Sequence, residues 1–183
     1  MKFFFGSGRL CLDFLRTLRA RQTDAVEGFS SAAEFVRWTR EAGLPIDVTR
    51  EDLHAKDLDA ARLLREAIYV AICTRMAART IPANVRTSIN MWAARQAPVP
   101  QILPDGKSIT SHATDPFSGT LAMIARDAIE LLGSMQLDRV RECADTECTS
   151  LFLDTSRPGN RRWCSVMPCA NRNKVRAYRK RQG

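Results

Sequence analysis

Long apolar runs are missing from this 183-residue chain. No stretch approaches the roughly 20 residues that a membrane-spanning helix needs, so the sequence predicts no membrane partner. The opening MKFFFGSGRL carries three Phe before Gly6-Ser7-Gly8 and Arg9 stop the run. A secretory leader needs about 7–15 apolar residues in a row, so none is expected. The expected location is cytoplasmic and reducing, where paired cysteines point to metal before disulfide.

Histidine is scarce, with two in the chain. His54 sits in a charged segment and His112 follows a turn signal. Neither has metal-ligand spacing to a partner, and both are expected on the surface. No nucleophile–base pair, phosphate loop or nucleotide fingerprint is visible, so the chain reads as a non-enzyme. Acidic residues are absent from Arg157 to Gly183, a segment with nine of the 28 Lys and Arg; residues 1–156 keep 19 basic against 20 acidic residues. The net charge of +8 thus sits at one end. Such segregation marks a surface for an anion more than general solubility.

What is present is a body able to bury a core, since 45% of the residues are apolar. Near the start, KFFF reads as a short strand, and Leu10 to Leu18 as either a strand or the start of a helix. Asp13 in that segment needs a partner if buried; Arg16 and Arg65 are the candidates, and structural pairing is favoured over a ligand-binding carboxylate. Ser31 and Glu34 stand at capping-box spacing ahead of Phe35, Trp38 and Ala42, with Gly43 and Pro45 to close the helix. Thr49 is the expected cap of the next helical region. There Leu58, Ala61, Leu64, Ile68, Ala71 and Ile72 form one apolar stripe, with Arg62, Arg65 and Glu66 largely off it. Pro82 suits the first turn of a further helix with Val85, Ile89 and Trp92 inward. Pro104-Asp105-Gly106 between apolar runs predicts a hairpin. Asp115-Pro116 then starts a long helix whose core stripe runs Phe117, Leu121, Ile124, Ala128, Leu131 and Met135.

Past residues 138–141 the helical period stops and cysteines begin. Cys143, Cys148, Cys164 and Cys169 form two Cys-x4-Cys pairs separated by fifteen residues. Four thiolates at tetrahedral corners suit zinc and leave no open coordination position, so the metal would be structural. Leu151 to Leu153 can form a strand and Pro158-Gly159-Asn160 a turn. A hairpin between the pairs would make a zinc-ribbon-like module too poor in apolar residues to fold without metal. Cys11 and Cys73 read as buried small hydrophobes.

After Cys169, ANRNKVRAYRKRQ holds no Gly or Pro. On a helical projection Arg172, Arg176, Arg179 and Lys180 fall within about 100° of one another, with Val175 and Tyr178 to one side, able to pack on the metal module. A helix of this kind fits the DNA major groove or a phosphate backbone. Arg161, Arg162, Arg172, Lys174, Arg176, Arg179, Lys180 and Arg181 are the candidate nucleic-acid contacts.

These motifs carry a resemblance. C-x4-C, LFLDTSR, RRWCS-x3-C and NR-x-K-x-R-x2-R-x-R resemble the CGNR-type zinc finger of bacterial proteins. RLCLDFLRTL is similar to the Leu-Asp-Phe-x-Asn-Thr opening of the ABATE domain that such proteins carry, and LREAIY and IARDAIELL look like its helices. The resemblance implies a stress-induced type of transcription regulator with an N-terminal regulatory domain. Two positions depart from the pattern. Ala170 replaces the name-giving Gly, which matters only if that turn needs a left-handed residue. Arg16 replaces the Asn of the opening motif.

The sequence therefore predicts a mostly α protein with small β hairpins (α+β). Residues 1–138 form the helical ABATE-like domain and 139–183 the zinc module ending in a basic helix. The expected function is a zinc-dependent DNA-binding transcription regulator. An RNA- or protein-interaction module and a thiol-based redox sensor are the competing readings. No heptad specifies a dimer, although two-fold DNA sites favour one.

Overall fold

Capping and periodic signals become six α-helices among the described residues, which are 2–46, 48, 49, 51 and 53–182 of this computed structural model. The segment that reads as strand or helix is α1, Leu10–Leu15, with Cys11, Leu12, Phe14 and Leu15 all buried. Asp127 accepts from the Cys11 N–H at 2.8 Å and pairs with Arg9 at 2.9 Å, which satisfies a donor in the first turn. Residues 2–6 form no strand. Asp13 instead folds that segment back, accepting from the Ser7 N–H at 2.8 Å and the Gly6 N–H at 3.3 Å. Its partners are thus backbone amides, not Arg16 or Arg65. Two-residue strands β1 (Leu18–Arg19) and β2 (Val26–Glu27) then pair antiparallel.

Helix α2, Ala32–Glu41, begins where expected, with the Ser31 side chain accepting from the Glu34 N–H. Helix α3, Ala55–Met76, does not begin at Thr49. Its cap is His54, five residues later, where the Asp57 carboxylate accepts from the His54 N–H at 2.7 Å. The six apolar stripe residues are all buried, and Arg65 is buried with them, its side chain 2% exposed. Periodicity puts Arg65 on the polar side, and the structure corrects this. It is held by a two-pronged bond to Glu27 at 2.6 and 2.7 Å, by Glu66 at 2.9 Å and by the Thr17 hydroxyl at 3.0 Å.

Helix α4, Ala83–Ala93, turns Ile89 inward. Strands β3 (Val99–Ile102) and β4 (Ile109–His112) form the Asp-Gly hairpin, with Gly106 at φ +67° in its turn. Helix α5, Pro116–Leu132, is capped by Asp115, whose side chain accepts from the Ser118 N–H at 3.0 Å. Its apolar stripe is buried as far as Leu131. Met135 lies beyond the helix in a 3-10 turn, Met135–Arg139, and is 88% exposed. Helices α3, α4 and α5 pack on one another, and α1 packs on α3 and α5. Phe14, Phe29, Phe35, Trp38 and Phe117 join this core through ring contacts of 5.1 to 5.8 Å. Both histidines lie at the surface, and no helix among the described residues is long and apolar enough to cross a membrane.

The C-terminal hairpin shares this core. Strand β5, Val140–Glu142, pairs antiparallel with β6, Leu151–Leu153, and Val140, Leu151 and Leu153 are buried among the helical core residues. The Leu153 N–H donates to the Ser7 carbonyl at 2.8 Å. Gly8, at φ +91°, lets this approach happen: a Cβ there would stand 2.9 Å from Leu153 Cβ. Helix α6, Asn171–Lys180, ends the fold.

Candidate metal centre and basic face

The first cysteine pair sits in the turn of the β5–β6 hairpin, and the second leads directly into α6. The partner of β6 is thus the strand before the first pair, not one from the segment between the pairs. Backbone N–H groups of Cys148 and Thr149 both donate to the Asp145 carbonyl, at 2.8 and 3.2 Å, which closes the first knuckle. Thr149 takes φ +49° to leave it.

The four sulfurs of Cys143, Cys148, Cys164 and Cys169 lie within 4.8 Å of one another. Cys164 Sγ is 3.6 Å from both Cys148 Sγ and Cys169 Sγ. A tetrahedron with Zn–S near 2.3 Å has sulfur–sulfur edges of roughly 3.8 Å, so the set fits zinc, and the separations are far too long for disulfides of about 2.05 Å. The donor chemistry also fits. Burial pushes the Cys169 thiol up to about 12, and the neighbouring Cys143 and Cys148 push Cys164 up further. Hydrogen bonds from Cys143 and Cys164 drive Cys148 down. Metal binding requires deprotonated thiols, and a divalent cation offsets the cost of holding their charges together. Around them, the Cys164 N–H points at Cys143 Sγ at 3.4 Å and the Ser150 hydroxyl lies 3.2 Å from Cys148 Sγ. Such outer contacts orient the ligands. Zinc here is structural.

The eight candidate cations divide into two groups. Arg172 and Arg176 are clamped onto the first knuckle. Arg172 reaches Asp145 at 2.7 Å and Glu147 at 2.6 Å, and Arg176 reaches Asp145 at 3.1 Å and also pairs with Glu147. Asp145 has no exposure. Burial works to raise its pKa, but the Glu147 N–H and the Arg172 guanidinium outweigh this and hold it below the usual value. Arg161 braces the loop before Cys164: it donates to the carbonyls of Trp163, at 2.8 Å, and Cys164, and its guanidinium lies 4.7 Å from the Phe152 ring centre. Buried Asp154 accepts from the Arg161 N–H at 2.8 Å.

The other group faces water. Arg162, Lys174, Arg179, Lys180 and Arg181 are exposed and form no ion pair among the described residues. Val175 and Tyr178, expected to dock on the metal module, are 49% and 56% exposed. The projected arc of Arg172 and Arg176 is the docked side, because two acidic groups in the knuckle attract it more strongly than two apolar ones find a surface. Lys174, Tyr178 and Arg181 fall on the opposite side, within about 60° of one another. Sequence reasoning misses Asp145 and Glu147. Their signal is two acidic residues inside CADTEC, facing a helix without any. Ala170 takes ordinary helical angles, φ −63° and ψ −41°, so the missing Gly costs the turn nothing.

No curated protein matches the chain. A family model does: ABATE, described as "Putative stress-induced transcription regulator", matches residues 8–135. A second, the CGNR zinc finger, matches residues 139–182, the segment that gathers the four cysteines. Neither description names an enzyme. On the share of the sequence that is matched, the chain belongs to the ABATE family and ends in a CGNR zinc finger.

Proposed function

We propose that the chain is a zinc-dependent nucleic-acid-binding regulator, with duplex DNA as its target. Residues 139–183 would read the nucleic acid and the helical part, residues 1–138, would regulate that reading. One observation carries this: Arg172 and Arg176 fix α6 to the metal knuckle, while Lys174, Arg179, Lys180 and Arg181 project from it without acidic partners among the described residues. With Lys174 and Arg181 on the face away from the knuckle, and Arg179 and Lys180 exposed beside the docked arc in the last turn, a rigidly held rod has the shape and charge to lie along phosphates or enter a major groove. Tyr178 on that face and Arg162, stacked 5.2 Å from the Trp163 ring centre, add surface for sugar and base. The family description supports a regulator in general terms.

Titration of the zinc-loaded chain onto labelled duplex DNA tests the reading. Reversal of Lys174, Arg179 or Lys180 to Glu should each weaken binding about three- to tenfold, because each removes a phosphate contact. Tighter binding to a structured RNA than to any duplex would move the target to RNA. Reversals that leave the affinity unchanged would sink the interface.

A further inference from the structure

A cavity of about 230 Å³ lies between the N-terminal part of the chain and the zinc finger. One side is built from Phe4, Arg16 and Arg19, and the other includes Pro168 and the zinc-site residues Cys148 and Cys169. Arg16 is 7% exposed, and its Nε is buried without a partner. Among the described residues its one hydrogen bond is a long one, Nη1 to the Ser7 hydroxyl at 3.5 Å. Arg19 Nε is buried and unpartnered as well. Both guanidiniums lie over the same Phe4 ring, at 5.4 and 5.7 Å.

Neither arginine has an acidic partner among the described residues. Arg65, similarly buried, shows what a satisfied arginine looks like in this fold, with Glu27 and Glu66 both on it. The one carboxylate in the cavity wall, Glu147, is already engaged by Arg172 and Arg176. A buried cation without a counter-charge is unfavourable. Arg16 is buried with no carboxylate on it, its charge acting only on the nearby Cys164 thiol, and half-buried Arg19 stands beside it in a cavity with aromatic and apolar walls. Drug-sized ligands occupy pockets of about 300–1,000 Å³, so this cavity suits something smaller.

We infer that this cavity binds a small organic carboxylate with a flat apolar body, its carboxylate on Arg16 and Arg19 and its body against Phe4 and Pro168. A bound molecule would touch both the α1 region and two zinc-ligand residues, so occupancy would tie the helical part to the finger. The inference rests on the proposed function only in making the finger the thing regulated. Binding itself is measured without nucleic acid, so either reading can fail alone.

The test is calorimetric titration of the zinc-loaded full chain with benzoate, benzamide and inorganic phosphate. Benzoate should bind at least tenfold more tightly than benzamide, which lacks the charge, and more tightly than phosphate, which lacks the ring. Arg16→Gln and Arg19→Gln should each weaken benzoate tenfold or more, and unliganded Arg16→Gln should keep its zinc and its thermal midpoint. The rival role for Arg16 is that of a counter-charge for the zinc thiolates alone. In that case Arg16→Gln loses zinc, benzoate shows no preference over benzamide, and Arg19→Gln changes nothing; that result overturns the inference. Phosphate binding as tightly as benzoate overturns the ligand class.

Discussion

Removing zinc should unfold residues 155–182 and leave the helical body standing. The finger has little of its own to hold it. Phe152 and three of the four cysteines are buried there, Trp163 is half-buried, and α6 buries no side chain at all. Metal binding in small zinc peptides is worth roughly 10–16 kcal/mol, and nothing else in the module approaches that. Strands β5 and β6 differ from the rest of the finger, because Val140, Leu151 and Leu153 are anchored in the helical core. Hydrogen exchange on the chelated protein, or on Cys164→Ser, should therefore show a boundary. Protection should vanish from the segment 155–182 and persist in α3 and α5. The zinc content of Cys164→Ser should fall from one per chain to none. Full protection of α6 without metal would mean that the ion pairs alone hold the finger.

Asp145→Ala should produce the next largest effect, out of proportion to a single surface-type ion pair. Asp145 is fully buried and binds two guanidiniums, and its Oδ1 also takes the Glu147 N–H at 3.2 Å. Its loss leaves Arg172 and Arg176 with Glu147 alone, whose side chain is 54% exposed. Hydrogen bonds to a buried charge are worth about 1.5–3 kcal/mol, and part is discounted here because the guanidiniums stay partly exposed. A loss of about 2 kcal/mol is expected, with a roughly 10- to 100-fold fall in zinc affinity of the kind seen when ligand-orienting groups are removed. Glu147→Ala should cost less than about 1 kcal/mol. Because the folded-state pKa of Asp145 is depressed, its contribution is complete above the ordinary carboxylate range and is lost only as pH falls through the lower folded value. Chelator competition at neutral pH, with denaturant midpoints for both variants, checks this. Equal effects of the two substitutions would contradict the special place given to Asp145.

Local chemistry is the most legible part of the chain: Ser31 capping α2, the Asp105-Gly106 hairpin, Asp115 starting α5, and the apolar stripe of α3. The paired cysteine spacing names the metal because two knuckles and four soft ligands suit zinc and little else. What stays hidden is long-range or charged. Arg65 looks like a surface residue because its partner Glu27 lies 38 positions away. Arg172 and Arg176 look like free cations because the carboxylates that hold them sit 25 to 31 positions earlier. Projection onto a wheel gives the angle between side chains but not which side docks. It therefore points Val175 and Tyr178 inward, whereas charge fixes the helix the other way. The segment at Leu10 is ambiguous for a different reason. Four of its six residues are buried and none is exposed, and periodicity distinguishes strand from helix only when one face meets water.

The most direct measurement of the central claim is the salt dependence of duplex DNA binding by the zinc-loaded protein. Each phosphate neutralised contributes roughly −0.9 to the slope of log affinity against log salt, and the exposed cations of the finger suffice for about four contacts. The predicted slope is about −3 to −4, reduced by about one unit in each of Lys174→Glu and Arg179→Glu. Binding that is weak at low salt, or a slope near zero, would contradict a finger whose exposed cations are built for a polyanion.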